Sequence, residues 1–369
     1  MFSISSLLIS IGAVTALTAV LAIILVIADA FIANYGEVKV TINGKKEFEV
    51  KGGRSLLSTL MAEEIFIPSA CGGRGSCGLC KVKVESGVGQ YLPTELPWIS
   101  SEEQAENVRL SCQIKVKNDM EIRIPEELFS VKQFKAKVKS LKDLTHDIKE
   151  LRLKLVKPET IEFKAGQFVQ LQTPEYKLSD EEVYRAYSIS SIPSETDEIE
   201  LEVRLVPDGI CTTWVHQYLE EGDEVLFNGP YGDFHLRETE REIICIAGGS
   251  GNAPIKSILL DMAESGNIRK VSYFYGARTV KDLVLPDDMA AITKDLKNYT
   301  YIPVLSDPEA DTSWDGETGF VTDAVAQYLE SGKNIEAYLC GSPGMIDACI
   351  KVLTEKGVPE ELIYYDKFA

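Results

Sequence analysis

The chain has 369 residues, 45% apolar and 26% charged, which excludes wholesale disorder and calls for two or three domains rather than a single core. Its formal charge of −19 comes without a basic cluster, which argues against nucleic acid as a partner. Eight cysteines in a chain of this size would imply disulfides only in a secreted protein.

The first predicted element is apolar. Phe2 to Ala28 carries no charged residue, and SLLISIGAVTALTAVLAIILVIA is long enough to span a bilayer core of roughly 20 helical residues. A transmembrane anchor is expected over residues 1–33. The rival is a cleaved signal peptide, suggested by Ala28-Asp29-Ala30, but Met1 to Ser6 holds no Lys or Arg. Lys39, Lys45, Lys46, Lys51 and Arg54 follow the apolar run, so the positive-inside rule places the body of the protein in the cytoplasm. In a reducing compartment, clustered thiols point to metal or redox chemistry.

VKVTINGKKEFEV alternates on both sides of Asn43-Gly44 and predicts a β-hairpin with a type I′ turn. A short helix over Ser55 to Glu64 leads into 71-CGGRGSCGLC-80, followed by a strand over Lys81 to Glu85. Cys112 arrives in 109-RLSCQIKV-116, read as the start of another strand. Zinc sites built only of cysteine usually present two C-x2-C knuckles, and here only Cys77 and Cys80 form one. One loop with three thiols and a distant fourth, Cys71, Cys77, Cys80 and Cys112, is the plant-type 2Fe–2S layout, although that type has four residues between its first two cysteines and this chain has five. Gly72, Gly73, Gly75 and Gly78 permit positive φ and close backbone approach, so amides can point at cluster sulfurs. Structural zinc remains the alternative. Cys211, Cys245, Cys340 and Cys349 lie in apolar or glycine-containing runs and read as free buried thiols.

From Phe134 a run of short strands (FKAKVKSL, IKELRLKL, GQFVQL, ELEVRLV, DEVLFNGPYG) predicts an antiparallel barrel. Within it, 185-RAYSISS-191 is read as an Arg, a Tyr and a Ser at alternating positions on one strand face, suited to a pyrophosphate, a ring and a ring nitrogen. An ordinary surface strand reads equally well. At Ile243 the period changes. The buried strand IICIA runs into 248-GGSGNAPIKSILLDMAESG-266, a glycine-rich turn opening a helix, where backbone N–H groups favour a phosphate. VSYFYGA, YIPVL, TDAVAQYLES, AYLCG and GMIDACIKVLTEKG then alternate strand and helix, predicting a doubly wound parallel sheet with Cys340 and Gly341 at a strand's carboxyl end, where ligands bind.

With these segments in order, the sequence resembles the ferredoxin–NADP⁺ reductase superfamily with an N-terminal 2Fe–2S domain. Arg185-Ala-Tyr187-Ser188 is similar to its R-x-Y-S flavin motif, and Gly209-Ile-Cys-Thr212 to its flavin pyrophosphate turn. Gly229-Pro-Tyr-Gly232 resembles the inter-domain G-P-Y-G, Gly248-Gly-Ser-Gly251-Asn-Ala-Pro254 the dinucleotide loop, and Cys340-Gly-Ser-Pro-Gly-Met345 the nicotinamide site. The apolar segment ahead of C-x5-C-x2-C narrows the resemblance to the F subunits of Na⁺-translocating NADH:quinone oxidoreductases. The stretch from Arg204 to Gly209 is shorter than that family's usual insertion, and Asn252 stands where it usually has Met.

The resemblance implies an α+β multidomain fold: an anchor over 1–33, a β-grasp 2Fe–2S domain over 34–130, an FAD-binding barrel over 131–237 and an NAD(H)-binding α/β domain over 238–369. It implies hydride transfer from NADH to FAD, then single electrons to the cluster and on to membrane partner subunits and quinone, with Na⁺ export, at the cell inner membrane. Flavin is the necessary intermediate, because a hydride carries two electrons and the cluster accepts one. Cys71, Cys77, Cys80 and Cys112 would hold the iron. Arg185 would bind FAD pyrophosphate, Tyr187 stack on the ring, Ser188 reach N5, and Gly209 and Thr212 meet phosphate. Gly248, Gly249, Gly251 and Pro254 would hold the dinucleotide, with Cys340 and Gly341 beside the reacting carbon and Phe368 covering the flavin. NADH over NADPH follows from the family alone; Arg278 and Lys281 suit either a 2′-phosphate or surface ion pairs. His146, His216 and His235 lack metal spacing. Alternatives are an oxygenase reductase component, a membrane reductase outside a sodium pump, and an anchored redox carrier with a vestigial nucleotide fold.

Overall fold

The computed structural model describes residues 11–24, 35–308 and 314–368, which divide into two compact units: residues 1–67 with 73–129, and residues 68–72 with 130–369. Residues 11–24 form helix α1, whose Ile11, Val14, Leu17, Val20, Leu21, Ile23 and Ile24 are 50–61% exposed. Among the described residues, no helix is long and apolar enough to cross a membrane. The remainder of the expected anchor, 1–10 and 25–33, lies outside the described residues.

In the first unit, β1 (Glu37–Ile42), β2 (Lys46–Lys51), β3 (Lys81–Ser86), β4 (Val108–Leu110) and β5 (Met120–Arg123) form one sheet in the order β2-β1-β5-β3-β4. The hairpin forms because Asn43 and Gly44 accept φ of 53° and 65°, and Lys45 N–H donates to the Ile42 carbonyl at 3.0 Å. Helix α2 (Leu56–Ala62) starts at Ser55, whose hydroxyl accepts from Ser58 N–H. It buries Leu56, Leu57 and Leu60 against Val40, Ile42, Val82, Leu110 and Ile122. Helix α3 (Ser101–Ala105) is held by a Ser100/Glu103 capping box. The expectation that Cys112 opens a strand is corrected: β4 ends at Leu110, and Gln113 N–H turns back to the Leu110 carbonyl at 2.9 Å. Ile114 and Val116 then bond to the Arg54–Leu56 backbone, so the thiol sits on a turn. The loop ahead of β4 is fixed by a buried pair: Arg109 donates to both oxygens of Glu95 at 2.9 and 2.6 Å, and Glu95 also accepts from the amides of Leu92 and Leu110.

The second unit holds two sheets. β6 (Lys132–Asp143), β7 (Ile148–Lys157), β8 (Phe168–Thr173), β9 (Val183–Ser188), β10 (Glu198–Arg204) and β11 (Glu224–Tyr231) form an antiparallel sheet in the order β10-β7-β6-β11-β8-β9. Its edge strands meet at an Ile189–Leu201 bridge, so the sheet curls toward a barrel. Helix α4 (Ile210–Gln217) packs against β8 and β9. A second correction falls here. Strand residues alternate faces, so in β9 Arg185 and Tyr187 share one face and Ser188 belongs to the other.

The second sheet is parallel: β12 (Glu242–Gly248), β13 (Val271–Ala277), β14 (Tyr299–Leu305), β15 (Glu317–Thr318), β16 (Ile335–Gly341) and β17 (Ile363–Lys367), in the order β15-β14-β13-β12-β16-β17. Helices α5 (Asn252–Glu264), α6 (Pro286–Ala291), α7 (Val321–Tyr328) and α8 (Pro343–Glu355) cover it. The order reverses between β12 and β16, which places the topological switch point there. Helix α5 also binds the barrel, since Ser257 Oγ donates to the Ser191 carbonyl at 2.7 Å and Lys256 pairs with buried Glu200.

Candidate functional site

Cys77, Cys80 and Cys112 belong to the first unit and Cys71 to the segment 68–72. The loop has no regular structure, and Gly72, Gly73, Gly75 and Gly78 all take φ between 64° and 85°. At two of them the backbone approach is close: a Cβ on Gly75 would lie 2.7 Å from Gln113 Nε2, and one on Gly78 would lie 2.8 Å from the Trp98 ring. The structure brings Cys80 and Cys112 together. Ser111 N–H bonds to the Cys80 carbonyl at 2.8 Å, and contact with Cys112, with burial adding, pushes the Cys80 thiol well above its ordinary range. Gln113 Nε2 donates to Cys112 Sγ at 3.4 Å, while Ser111 Oγ is buried with no hydrogen-bond partner among the described residues. Thiols on a glycine-supported backbone, with donors beside them, fit an anionic iron–sulfur cluster. Among the described residues, no group of three or more His, Cys, Asp or Glu side chains gathers closely enough to hold a metal ion.

On the barrel, Arg185 of β9 neighbours the N-terminus of α4. Gly209 caps α4 without a side chain, leaving first-turn N–H groups for an anion beside a guanidinium. A Cβ on Gly209 would lie 2.5 Å from Thr212 Oγ1, which accepts from Val206 N–H at 3.1 Å. Tyr187 packs on the barrel core, and burial, with Cys211 adding, pushes its phenol well up.

Over the switch point opens a cleft of about 420 Å³ lined by Gly248, Gly249, Gly276, Arg204, Arg278, Phe320 and Met345. Ala247 of β12 pairs with Cys340 of β16, so the glycine turn and the Cys340-Gly341 corner stand side by side. Gly251 packs so closely on this corner that a Cβ would lie 2.2 Å from the Cys340 carbonyl oxygen. Cys340 is fully buried, and burial, with Asp366 and Glu202 adding, pushes its thiol well up, so it stays neutral near pH 7. Pro254 is buried in the first turn of α5, and Phe368 N–H donates to the Gly341 carbonyl at 2.8 Å, tying the end of β17 to the corner.

Sequence reasoning missed His146, Asp147, Arg204 and Phe320, all of which line the cleft. Arg204 Nε donates to Asp147 at 2.8 Å, and Arg278 pairs with Asp307 at 3.3 Å; Lys281 is not part of the lining. Phe320 is 71% exposed, an aromatic ring bare at the mouth of a cleft, and only this exposure marks it. Asp366, opposite Cys340 in the β16–β17 register, is raised to about 6 by burial.

The 2Fe-2S iron-sulfur cluster binding domain family matches residues 40–117, the oxidoreductase FAD-binding domain family residues 135–236, and the oxidoreductase NAD-binding domain family residues 245–351. The chain is 37% identical to the F subunit of the Na(+)-translocating NADH-quinone reductase of Neisseria meningitidis, over 96% of this chain and 97% of the relative. The corresponding protein of Actinobacillus succinogenes is 36% identical over 99% of both chains. Among solved structures, an Amycolatopsis cytochrome P450 reductase superposes with a TM-score of 0.72 at 29% identity, covering 90% of this chain and 98% of that one. The ferredoxin reductase of carbazole 1,9a-dioxygenase gives 0.69 at 28% identity, covering 90% and 99%. With 2Fe–2S, FAD and NAD domains in this order and such identity over nearly its whole length, the chain belongs to the family of the F subunits of Na(+)-translocating NADH-quinone reductases.

Proposed function

We propose that this chain is the electron-input subunit of a membrane quinone reductase, oxidising NADH and delivering electrons through FAD and a 2Fe–2S cluster to partner subunits, quinone and a Na⁺-coupled step. The observation that carries it is the union, in one compact unit, of a glycine turn and a buried thiol at the switch point of the parallel sheet with an Arg185/α4 anion site on the adjoining barrel. The cofactors supply two-electron acceptance and one-electron release; the chain supplies position. Gly248, Gly249, Gly251 and Pro254 present amides and a helix start to the dinucleotide phosphates. Cys340 and Gly341 close the corner beside the nicotinamide; as a neutral thiol, Cys340 adds no charge there. Arg185, Gly209 and Thr212 hold the flavin pyrophosphate, Tyr187 its ring, Ser188 reaches N5 from the last residue of β9 rather than from the face of Tyr187, and Phe368 covers the ring. Cys71, Cys77, Cys80 and Cys112 ligate the iron. The domains run 34–130, 131–237 and 238–369. Residues 1–33 anchor the chain in the inner membrane as a single span with its catalytic domains in the cytoplasm; the bare apolar flank of residues 11–24 supports this.

Anaerobic NADH added to the detergent-solubilised full chain tests the core of this reading: flavin and cluster should both bleach, and persistence of both oxidised spectra overturns it. Cys77→Ala should lose iron and keep flavin reduction. A gentle detergent pull-down followed by an NADH:quinone assay with and without Na⁺ tests the partners and acceptor. The likeness to two oxygenase-type reductases favours a second reading, a reductase for an oxygenase. Co-purification of an oxygenase in place of membrane subunits would select it.

A further inference from the structure

Beneath the glycine turn lies a carboxyl that the reading above does not use. Glu202 of β10 is 3% exposed, and Asn252 Nδ2 donates to its Oε1 at 2.9 Å. The Tyr273 hydroxyl donates to Asn252 Oδ1 at 2.8 Å, so the amide is clamped from both sides. Asn252 is the residue at which the Gly249–Gly251 turn becomes α5, so these bonds fix the end of the turn. The other carboxyl oxygen, Oε2, is buried with no hydrogen-bond partner among the described residues. An ionised, unpartnered oxygen at such a place is costly.

The charged surroundings do not relieve it. Glu200 faces it from its own strand, Glu150 from β7 and Lys256 from α5, with Tyr273 and Tyr275 of β13 and Cys340 of β16 also close. Lys256 is already engaged by Glu200, which also takes Arg152 at 2.6 Å, leaving three carboxyls to share two cations. Burial, with Glu200 and Glu150 adding, raises Glu202 to about 8 despite Lys256 and Asn252.

We infer that Glu202 is a proton-linked positioning residue for the dinucleotide: neutral, it fixes the Asn252 end of the turn without adding negative charge beside the phosphates, and ionised, it opposes their binding. Above about pH 8, where the carboxyl is ionised in the free protein, dinucleotide binding then takes up to one proton from solvent onto the Glu202 carboxylate, with no covalent change in the ligand. The inference rests on the dinucleotide occupying the Gly248–Gly251 turn. Among the groups packed around Glu202, the tyrosines and Cys340 are pushed well above their ordinary values and Asp366 is raised only to about 6, so of these it is Glu202 that changes charge between pH 7 and 9. His146 at the mouth of the same cleft is why the test compares the wild type with Glu202 variants.

The test is isothermal titration of NAD⁺, which binds without reducing the protein, into the cofactor-loaded full chain between pH 7 and 9.5, in two buffers of different protonation enthalpy. The expected Kd is level near pH 7 and climbs toward tenfold per pH unit above about 8, with net proton uptake. Glu202→Gln and Glu202→Met, two neutral replacements, should flatten that climb. A wild-type slope retained in either variant overturns the inference. So does wild-type binding at pH 8 without proton uptake, a result that needs neither variant to fold. Absence of NAD⁺ binding at pH 7 overturns the dinucleotide reading, and this inference with it; binding with a flat profile overturns this inference alone.

Discussion

Glu95→Gln keeps the side chain's volume and removes its charge, which makes it a clean probe of the buried pair behind the cysteine loop. In the wild type the Glu95 side chain is 0% exposed and that of Arg109 is 5% exposed. Arg109 also donates to the carbonyls of Gly89 and Gln90 and stacks 4.4 Å over Tyr91, so this guanidinium fixes the whole stretch before β4. Losing one partner of such a pair leaves an uncompensated buried charge and costs roughly 3–5 kcal/mol. A domain of this size holds only about 5–15 kcal/mol in total. With a urea slope of roughly 1–2 kcal/mol per molar, the midpoint for loss of the cluster's visible absorption should fall by roughly 1.5–5 M. Flavin fluorescence, followed in the same titration of the full chain, should keep its midpoint. Burial opposes the Glu95 charge, but Arg109 and the amides of Leu92 and Leu110 outweigh it and hold the carboxyl below its usual range. The stability this contributes is therefore present above the unfolded carboxylate range and lost as pH falls through the lowered folded value. The variant should lack that acid-side loss. A midpoint shift under roughly 0.5 M would refute the reasoning, since it would mean the pair contributes less than about 1 kcal/mol.

Gly78→Ala combines φ of 68° with a Cβ placed 2.8 Å from the Trp98 ring, so iron per chain should drop while FAD content holds. Gly251→Ala must part α5 from the Cys340 carbonyl; overpacking of roughly 1–3 kcal/mol predicts flavin reduction by NADH slowed by about tenfold or more in stopped flow, with bound FAD and iron unchanged. Arg185→Ala removes a charge-assisted contact of roughly 1.5–3 kcal/mol, so FAD should dissociate during gel filtration that leaves the wild type yellow.

Much of the fold was legible because periodicity changes where the architecture does. Alternation marks the hairpin around Asn43-Gly44 and the barrel strands, and the apolar run IICIA before Gly248 marks the central parallel strand. What failed did so for local reasons. Alternation carried through 109-RLSCQIKV-116 predicts a strand, yet the backbone turns at Ser111 to meet Cys80 and the Arg54–Leu56 segment. Short edge strands such as Glu317–Thr318 carry too few residues to show a period. The barrel strand EIELEVR misleads most. Its alternation does not tell that both faces are covered: α5 packs over the glutamates, and Glu200 and Glu202 are buried against Lys256 and Asn252. The cleft was the least legible part, because Asp147, Arg204, Arg278 and Phe320 converge from elements far apart in sequence.

The strand order of the parallel sheet sets a timetable for the newly made polypeptide. The cysteine-bearing sheet and the curled antiparallel sheet are each built from one nearly continuous stretch ending at Arg123 and Tyr231, so each can close while translation continues. The Gly251–Cys340 corner cannot, since β12 must wait for β16 to slot in beside it before Gly251 finds the Cys340 carbonyl. If that corner takes the dinucleotide, as proposed, the entry port for reducing equivalents closes later than either of the other sheets, and a polypeptide released before β16 is made lacks it.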